Sequence, residues 1–332
     1  MSSRALLRKP SPIRALTPLL KTPGLISLGG GLPAANLFPF TDFSFSIGTG
    51  ETLKISGDRL KEALQYSGTY GLEDLISLLK EHQIRVHQPP NVDWNILITT
   101  GSQDALSKAF STLLSEGDTI LTEDPTYSGA LADLRPLGVN VIGIPSNHEG
   151  IIPEEMDRIL LNFSTLYPNF KRPHLLYTIP TGQNPSGSTA SMPVRKAVYG
   201  LACKHNLVLL EDDPYWNLRL LTEGNNEPEP LTSYFSMDIE GRVIRFDSFS
   251  KILSAGIRIG WASGPAQIIE SMQLQQQSST LHTSGLSQAV VLALLQHWGP
   301  QGFDQHVKEV QKFYSTKRDI FNQAAHKYLK NY

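Results

Sequence analysis

Through the middle of this 332-residue chain, short apolar β-rich runs alternate with segments of helical period, and that alternation restricts the fold more than any other feature. Ile96-Leu-Ile-Thr-Thr100 is followed by Leu106, Ala109, Phe110, Leu113 and Leu114 at helical spacing, which predicts strand, tight turn, helix. Leu175-Leu-Tyr-Thr-Ile179 likewise precedes a helix marked by Val194, Ala197, Val198, Leu201 and Ala202. Leu207–Leu210, Val243–Phe246 and Ile257–Trp261 read as further strands. Strands this continuously apolar are buried on both faces, so the expectation is an α/β fold: a mostly parallel sheet between two helical layers. Ligands of such folds collect beyond the carboxyl ends of the strands.

The polar residues at those strand ends are of unusual types. Asp247-Ser-Phe-Ser-Lys251, followed by Ala255-Gly-Ile-Arg258, sets one lysine among hydroxyls and beside a guanidinium. A lysine ε-amine becomes a carbonyl-reactive nucleophile when burial or a nearby cation lowers its pKa. Ser248, Ser250 and Arg258 suit a phosphate, since a guanidinium offers a planar fork and hydroxyls add single bonds. The group therefore reads as the anchor of a phosphorylated aldehyde; the plainer reading is a solvated lysine in a serine-rich loop.

Gly101-Ser102-Gln103 joins a strand to a helix, which predicts Ser102 as N-cap, either an ordinary cap or part of an anion site at the helix start. Tyr127, in Glu123-Asp-Pro-Thr-Tyr127, projects from a strand end to stack on a flat ring or simply to pack. Asn184 precedes Pro185, which biases it to an extended backbone and turns its amide outward. Glu211-Asp212-Asp213-Pro-Tyr215 places carboxylates side by side after a buried strand, where they repel unless a cation such as a protonated pyridine waits there. A metal is the competing cation, but no histidine is near in sequence and Pro, Tyr and Trp follow at once, so no metal site is expected.

Composition narrows the classes further. A formal charge of -2 with no long basic run gives no expectation of nucleic acid or anionic membrane as partner. No apolar run approaches the roughly 18 residues of a spanning helix. The single Cys203 excludes an internal disulfide, fits a reducing compartment and, lying on an amphipathic pattern, reads as core packing. Residues 1 to 41 hold five basic and no acidic residues, like a mitochondrial presequence, yet Pro10, Pro12, Pro18 and Pro23 oppose the amphipathic helix such a signal needs. An extended mature segment and a cytoplasmic address are expected, with mitochondrial import as the alternative.

The order Gly-Ser-Gln, Asp-Pro-Thr-Tyr, Asn-Pro-Ser-Gly, Asp-Asp-Pro-Tyr, Ser-Phe-Ser-Lys and Gly-Ile-Arg-Ile-Gly resembles fold-type I pyridoxal-phosphate enzymes of the class I/II aminotransferases. Pro10-Ser-Pro-Ile-Arg14, Ile26–Pro33 with Phe38-Pro-Phe40, and Ala63-Leu-Gln-Tyr66 bring it nearest to the 2-aminoadipate, kynurenine and aromatic amino-acid aminotransferases. The resemblance implies that Lys251 holds the aldehyde of pyridoxal 5′-phosphate and then moves the substrate's α-proton. It implies Asp212 at the pyridinium nitrogen, Asn184 and Tyr215 at the phenolic oxygen, and Tyr127 on the ring face. Ser102, Gln103, Ser248, Ser250 and Arg258 would hold the phosphate, with Tyr66 reaching in from a second subunit of a homodimer. Arg14, Gly31 and Asn184 would meet the substrate, an amino acid exchanging its amino group with a 2-oxo acid such as 2-oxoglutarate in two ping-pong halves.

The same resemblance divides the chain into a segment lining the substrate site (1–45), a cofactor-binding large domain (46–295) and the start of a small domain (296–332). Relatives of this kind continue into that small domain, which carries the arginine gripping the substrate's α-carboxylate, whereas this sequence stops at Tyr332 without a counterpart. Val307, Val310, Phe313, Tyr314, Phe321, Ala324, Ala325 and Tyr328 predict a long final helix with part of its apolar face unpartnered. Two functional expectations follow: an active aminotransferase, or a catalytically weak or silent homologue that binds the cofactor and dimerises. A transcription regulator built on the same fold would need a helix-turn-helix ahead of it, for which the proline-rich start leaves no room.

Overall fold

The apolar runs become the strands of an eight-stranded sheet, and the helical-period segments become the layers that cover it. The computed structural model describes the chain except for residues 17, 18, 20, 21, 27–30, 91, 92, 222–227 and 330–332. The first described elements are α1 (Ser3–Leu6) and α2 (Pro12–Ala15), then an antiparallel pair of β1 (Asp42–Ser46) and β2 (Thr52–Ser56). There follow α3 (Gly57–Leu64), α4 (Glu73–His87), β3 (Trp94–Thr99), α5 (Ser102–Leu113), β4 (Thr119–Asp124), α6 (Ser128–Leu134), β5 (Asn140–Asn147) and β6 (Gly150–Ile151). The second half holds α7 (Pro153–Leu161), α8 (Phe163–Leu166), β7 (Leu175–Thr178), α9 (Met192–Lys204), β8 (Val208–Asp212), α10 (Tyr234–Met237), β9 (Val243–Ser248), β10 (Gly260–Pro265), α11 (Ala266–Ser279) and α12 (Gly285–Tyr328).

The strands lie in the order β3-β10-β9-β8-β7-β4-β5-β6. The run β9-β8-β7-β4-β5 is parallel, while β10 is antiparallel to both its neighbours and β6 to β5. Alternation along each strand assigns the faces. Leu210, Ile244, Phe246 and Tyr177 pack with Phe110 of α5 and Met272 of α11, whereas Leu209, Val243 and Leu176 pack with Ile159 of α7 and Val198 of α9. A third cluster closes the β3–β10 edge under α3, α4 and α12 through Leu75, Trp261, Leu292 and Phe303. Each such fully buried side chain contributes about 1.5–3 kcal/mol against exposure, which fixes the strand ends that carry the polar residues.

The structure corrects several local expectations. Ile257–Trp261 is not one strand: Ala255–Ile257 form a 3-10 turn, Arg258 is left-handed (φ 53°), and β10 starts at Gly260. The reason is close contact, because a Cβ on Gly260 would stand 2.7 Å from the carbonyl carbon of Gly101 and 2.8 Å from the Ser102 nitrogen. The start expected to be extended instead has two single-turn helices, and Ser2 is buried, its amide donating to the Thr112 carbonyl at 2.7 Å. Cys203 is half-buried on α9 rather than in the core. The final helix reaches Tyr328, but it begins at Gly285 and is broken at Gly299 (φ 61°), where Pro300 cannot donate a helical hydrogen bond. Beyond the break Phe313, Ile320 and Phe321 are exposed. No described helix is long and apolar enough to cross a membrane.

Candidate active site

Six chain segments leave the sheet on one side of its core and meet around a cavity of about 220 Å³. The β3–α5 turn contributes Ser102 and Gln103, and the segment after β4 contributes Tyr127. Asn184 comes from the turn after β7, while Asp212 and Tyr215 come from the end of β8 and the turn beyond it. Ser248, Ser250 and Lys251 follow from β9, and Arg258 from the turn before β10. These ten residues, each singled out in the sequence, line one wall or another of the same cavity.

One end of the cavity is rich in hydrogen-bond donors. The Ser248 hydroxyl donates to Ser250 Oγ at 2.9 Å and accepts from the Ser250 amide at 3.1 Å. Arg258 reaches back over Ser250 (Nη1 to Oγ, 3.2 Å) and donates to the carbonyls of Ala255 and Thr100 at 3.0 Å each. Its left-handed backbone turns the guanidinium toward the first turn of α5, whose leading amides lack helical partners. The N-cap there is Gly101 (φ 82°), not Ser102 as expected, and Ser102 opens the helix proper. Only glycine fits, since a Cβ on Gly101 would fall 2.3 Å from Arg258 Nη2. A guanidinium, hydroxyls and free amides on one spot make an anion cradle.

Another part of the lining is acidic and buried. Asp212 is 3% exposed; its Oδ2 accepts the Tyr177 hydroxyl at 2.9 Å, and its Oδ1 has no partner among the described residues. Burial pushes this carboxyl up to about 7; the Tyr177 bond opposes that rise, while Asp213, Asp247 and Glu123 add to it. A buried carboxylate oxygen with no donor is costly by about 1–3 kcal/mol or more, so the site is built for a cation that the chain does not supply. A protonated pyridine nitrogen matches that demand, and the anion cradle on the same cavity lining matches a phosphate, so the residues fit pyridoxal phosphate.

The remaining groups complete the lining. Asn184 and Tyr215 are hydrogen-bonded to each other, and burial raises the Tyr215 phenol. Lys251 Nζ lies 5.7 Å from the centroid of the Tyr215 ring. Lys251 is exposed, and Arg258 lines the same cavity. Lys251 also borders a wider opening of about 490 Å³, whose far wall is α12 through His306, Val310 and Phe313. Tyr127 occupies room left by Gly129, where a Cβ would meet its ring at 2.4 Å.

Two expected residues are not in this cavity, and a third lies outside the described side chains. Tyr66 is 52% exposed with its ring edge-on to His282 at 6.3 Å. Gly31 is exposed in a left-handed turn (φ 58°) with nothing near its Cβ position. The Arg14 side chain lies outside the described residues.

Two buried polar residues escaped the sequence reading. Tyr177 is the donor that orients Asp212, and Arg245, fully buried, forms ion pairs with Glu211, Asp213 and Asp247. The carboxylate row after β8 therefore divides: Glu211 and Asp213 meet Arg245, and Asp212 alone faces the cavity. The available signal was a charged residue inside an apolar strand, Val-Ile-Arg-Phe.

The chain matches the family "Aminotransferase class I and II" over residues 55–329. It is 41% identical to the mitochondrial kynurenine/alpha-aminoadipate aminotransferase of Mus musculus, an alignment covering 99% of this chain and 79% of the relative. An aromatic amino acid aminotransferase of Schizosaccharomyces pombe is 36% identical over 99% of this chain and 77% of its own length. Among solved structures, aminotransferase Aro8 of Candida albicans superposes with a TM-score of 0.90 at 32% identity, covering 98% of this chain and 75% of that one. The kynurenine aminotransferase of Pyrococcus horikoshii, solved with PMP, gives 0.74 at 32% identity over 98% and 76%. With its strand-end cavity, its lysine and its orphaned carboxylate, the chain belongs to the class I and II aminotransferases, which carry out transamination with pyridoxal phosphate.

Proposed function

We propose that this aminotransferase takes the amino group from an aromatic amino acid, kynurenine or 2-aminoadipate and gives it to a 2-oxo acid such as 2-oxoglutarate. The donors after which the mouse and fission-yeast relatives are named support this choice. The observation that carries the chemistry is the make-up of one cavity: a buried Asp212 oxygen without a partner among the described residues, a Ser/Arg cradle, and Lys251 on the same lining. Bound there, pyridoxal phosphate supplies an aldehyde that exchanges amines and a ring that accepts electron density. Asp212 holds the proton on the ring nitrogen, and Asn184 with Tyr215 holds the phenolic oxygen. Tyr127 covers one ring face. Ser102, Gln103, Ser248, Ser250 and Arg258 hold the phosphate, which leaves the Lys251 amine to take the proton from the substrate's Cα and return it on the other side of the exchange.

Tyr66 serves the cavity of a second copy in a homodimer, a reading supported by its exposure. We assign residues 1–45, with Arg14 and Gly31, to the substrate site of the assembled dimer, since Gly31 is not part of the cavity of its own chain, and the segment after the Gly299 break to the start of a small domain. The address is cytoplasmic; the mouse relative is named as mitochondrial, and fractionation separates the two. The activity test is 2-oxo acid production from each of the three donors with 2-oxoglutarate, beside the absorbance band of the lysine-bound cofactor. Lys251→Ala abolishes both. A wild-type chain that shows the band but turns over no donor is instead a silent cofactor-binding homologue.

A further inference from the structure

Behind the cofactor face of the sheet lies a buried charge cluster that touches nothing in the cavity. In β8 and β9, alternation sends Asp212, Phe246 and Ser248 to the cofactor face and Glu211, Arg245 and Asp247 to the opposite one. Arg245 is opposite Glu211 in the register and is fully buried. Its Nη1 lies 3.2 Å from Glu211 Oε1 and 3.1 Å from Asp213 Oδ2. Its Nε and Nη2 grip Asp247 at 2.8–3.1 Å.

The other donors around these carboxylates are neutral. Gln83 binds Asp247 at 2.6 Å, Thr181 binds Asp213 at 3.2 Å, and the amides of Tyr234 and Phe235 bind Glu211 at 2.8 and 3.0 Å. Of the cations nearby, Arg195 spends its fork on the carbonyls of Ala190 and Pro180 and on Thr181, and Arg219 on those of Trp216 and Glu229. His82 and His87 are both pushed below the usual imidazole range by burial, which leaves them neutral. One guanidinium thus stands against three carboxylates, one strand face away from Asp212. On the cavity face Asp212 meets Tyr177, Glu123 and Tyr215, with Lys251 and Arg258 across the cavity.

We propose that Arg245 is an electrostatic positioning residue for the cofactor: by pairing with Glu211, Asp213 and Asp247 behind the sheet, it keeps the proton shared by Asp212 and the ring nitrogen on the ring. This rests on Asp212 being the ring-nitrogen partner. Asp212 stands between the rear carboxylates and the cavity, so their field, little screened in a dry interior, would draw toward Asp212 a proton shared with a ring nitrogen held in that cavity. Arg245 cancels part of the field. Without it the carboxyl takes the proton, and a neutral pyridine is a poorer electron acceptor.

The test uses the holoenzyme loaded with cofactor labelled with 15N in the ring. At pH 8, Arg245→Met moves the 15N resonance toward that of an unprotonated pyridine. Adding Asp213→Asn removes one rear negative charge, restores the wild-type excess and moves the resonance back. An Arg245→Met signal at the wild-type position overturns the proposal, and so does a double variant that stays with the single one, because a guanidinium that merely packed would not be rescued by removing a carboxylate. If Arg245→Met does not fold, Asp213→Asn alone decides. Losing a neighbouring negative charge lowers the pH at which Asp212 ionises, so the acid limb of cofactor capture shifts down by about one pH unit; an unmoved limb refutes the role. Wild-type protein lacking a Lys251-dependent absorbance band would refute the cofactor reading itself, a separate failure.

Discussion

Asp212→Asn has opposite effects on the cofactor-free and cofactor-bound protein, and the size of the first follows from the structure. Burial lifts the Asp212 carboxyl from its ordinary 3.8 to about 7 in the cofactor-free protein. Between those values the folded chain binds the proton more tightly than the unfolded chain, so stability falls as pH rises from about 4 to about 7 and is flat beyond. At ~1.4 kcal/mol per unit, the ceiling on this penalty is about 4 kcal/mol. Asparagine escapes it but forfeits the charge-assisted bond from Tyr177 and leaves its own amide unpaired, which returns about 1–3 kcal/mol. The cofactor-free Asp212→Asn protein is therefore about 1–3 kcal/mol more stable than wild type at pH 8 and no more stable at pH 5. Urea denaturation of both proteins at the two pH values measures the difference. Glu123, another buried carboxyl raised to about 7, repels Asp212, so losing the Asp212 charge eases its ionisation and adds to the gain at pH 8. With cofactor bound the order reverses, because the wild-type carboxylate then has its cation. A stability gain of the same size at pH 5 and pH 8, or none at pH 8, would show that the Asp212 charge is not the strained element.

Two glycines test the packing that shapes the site and its support. Gly101→Ala places a methyl 2.3 Å from Arg258 Nη2 at a left-handed backbone position, so cofactor affinity falls at least about tenfold by fluorescence titration; retained affinity would remove Arg258 from the phosphate cradle. Gly285→Ala sets a methyl 2.2 Å from the Ala63 carbonyl oxygen, where α12 begins against α3. It costs about 1–3 kcal/mol in thermal unfolding, and an unchanged melting temperature would mean that α12 shifts freely there.

What the sequence disclosed and what it hid divide along one physical line, the distance over which the determinants act. The strands around Ile96, Leu175, Leu207 and Val243 were visible because their burial is written in consecutive apolar residues, and the strand-end groups could be collected because a parallel sheet gathers its carboxyl ends. Arg258 was misplaced into a strand because its turn is enforced by the crowding of Gly260 against Gly101, residues 159 positions apart in a close approach that no local pattern records. The carboxylate row after β8 looked like a single negative patch for the same reason. Its division depends on register: Glu211 lies opposite Arg245, and Asp212 opposite Phe246, so one residue of slip would hand Arg245's neighbours to the cavity and Asp212 to the rear. The specificity of the site for one cation is thus set by strand pairing as much as by residue type, which is why a charged residue in the middle of an apolar strand is worth following across the sheet to whatever stands beside it.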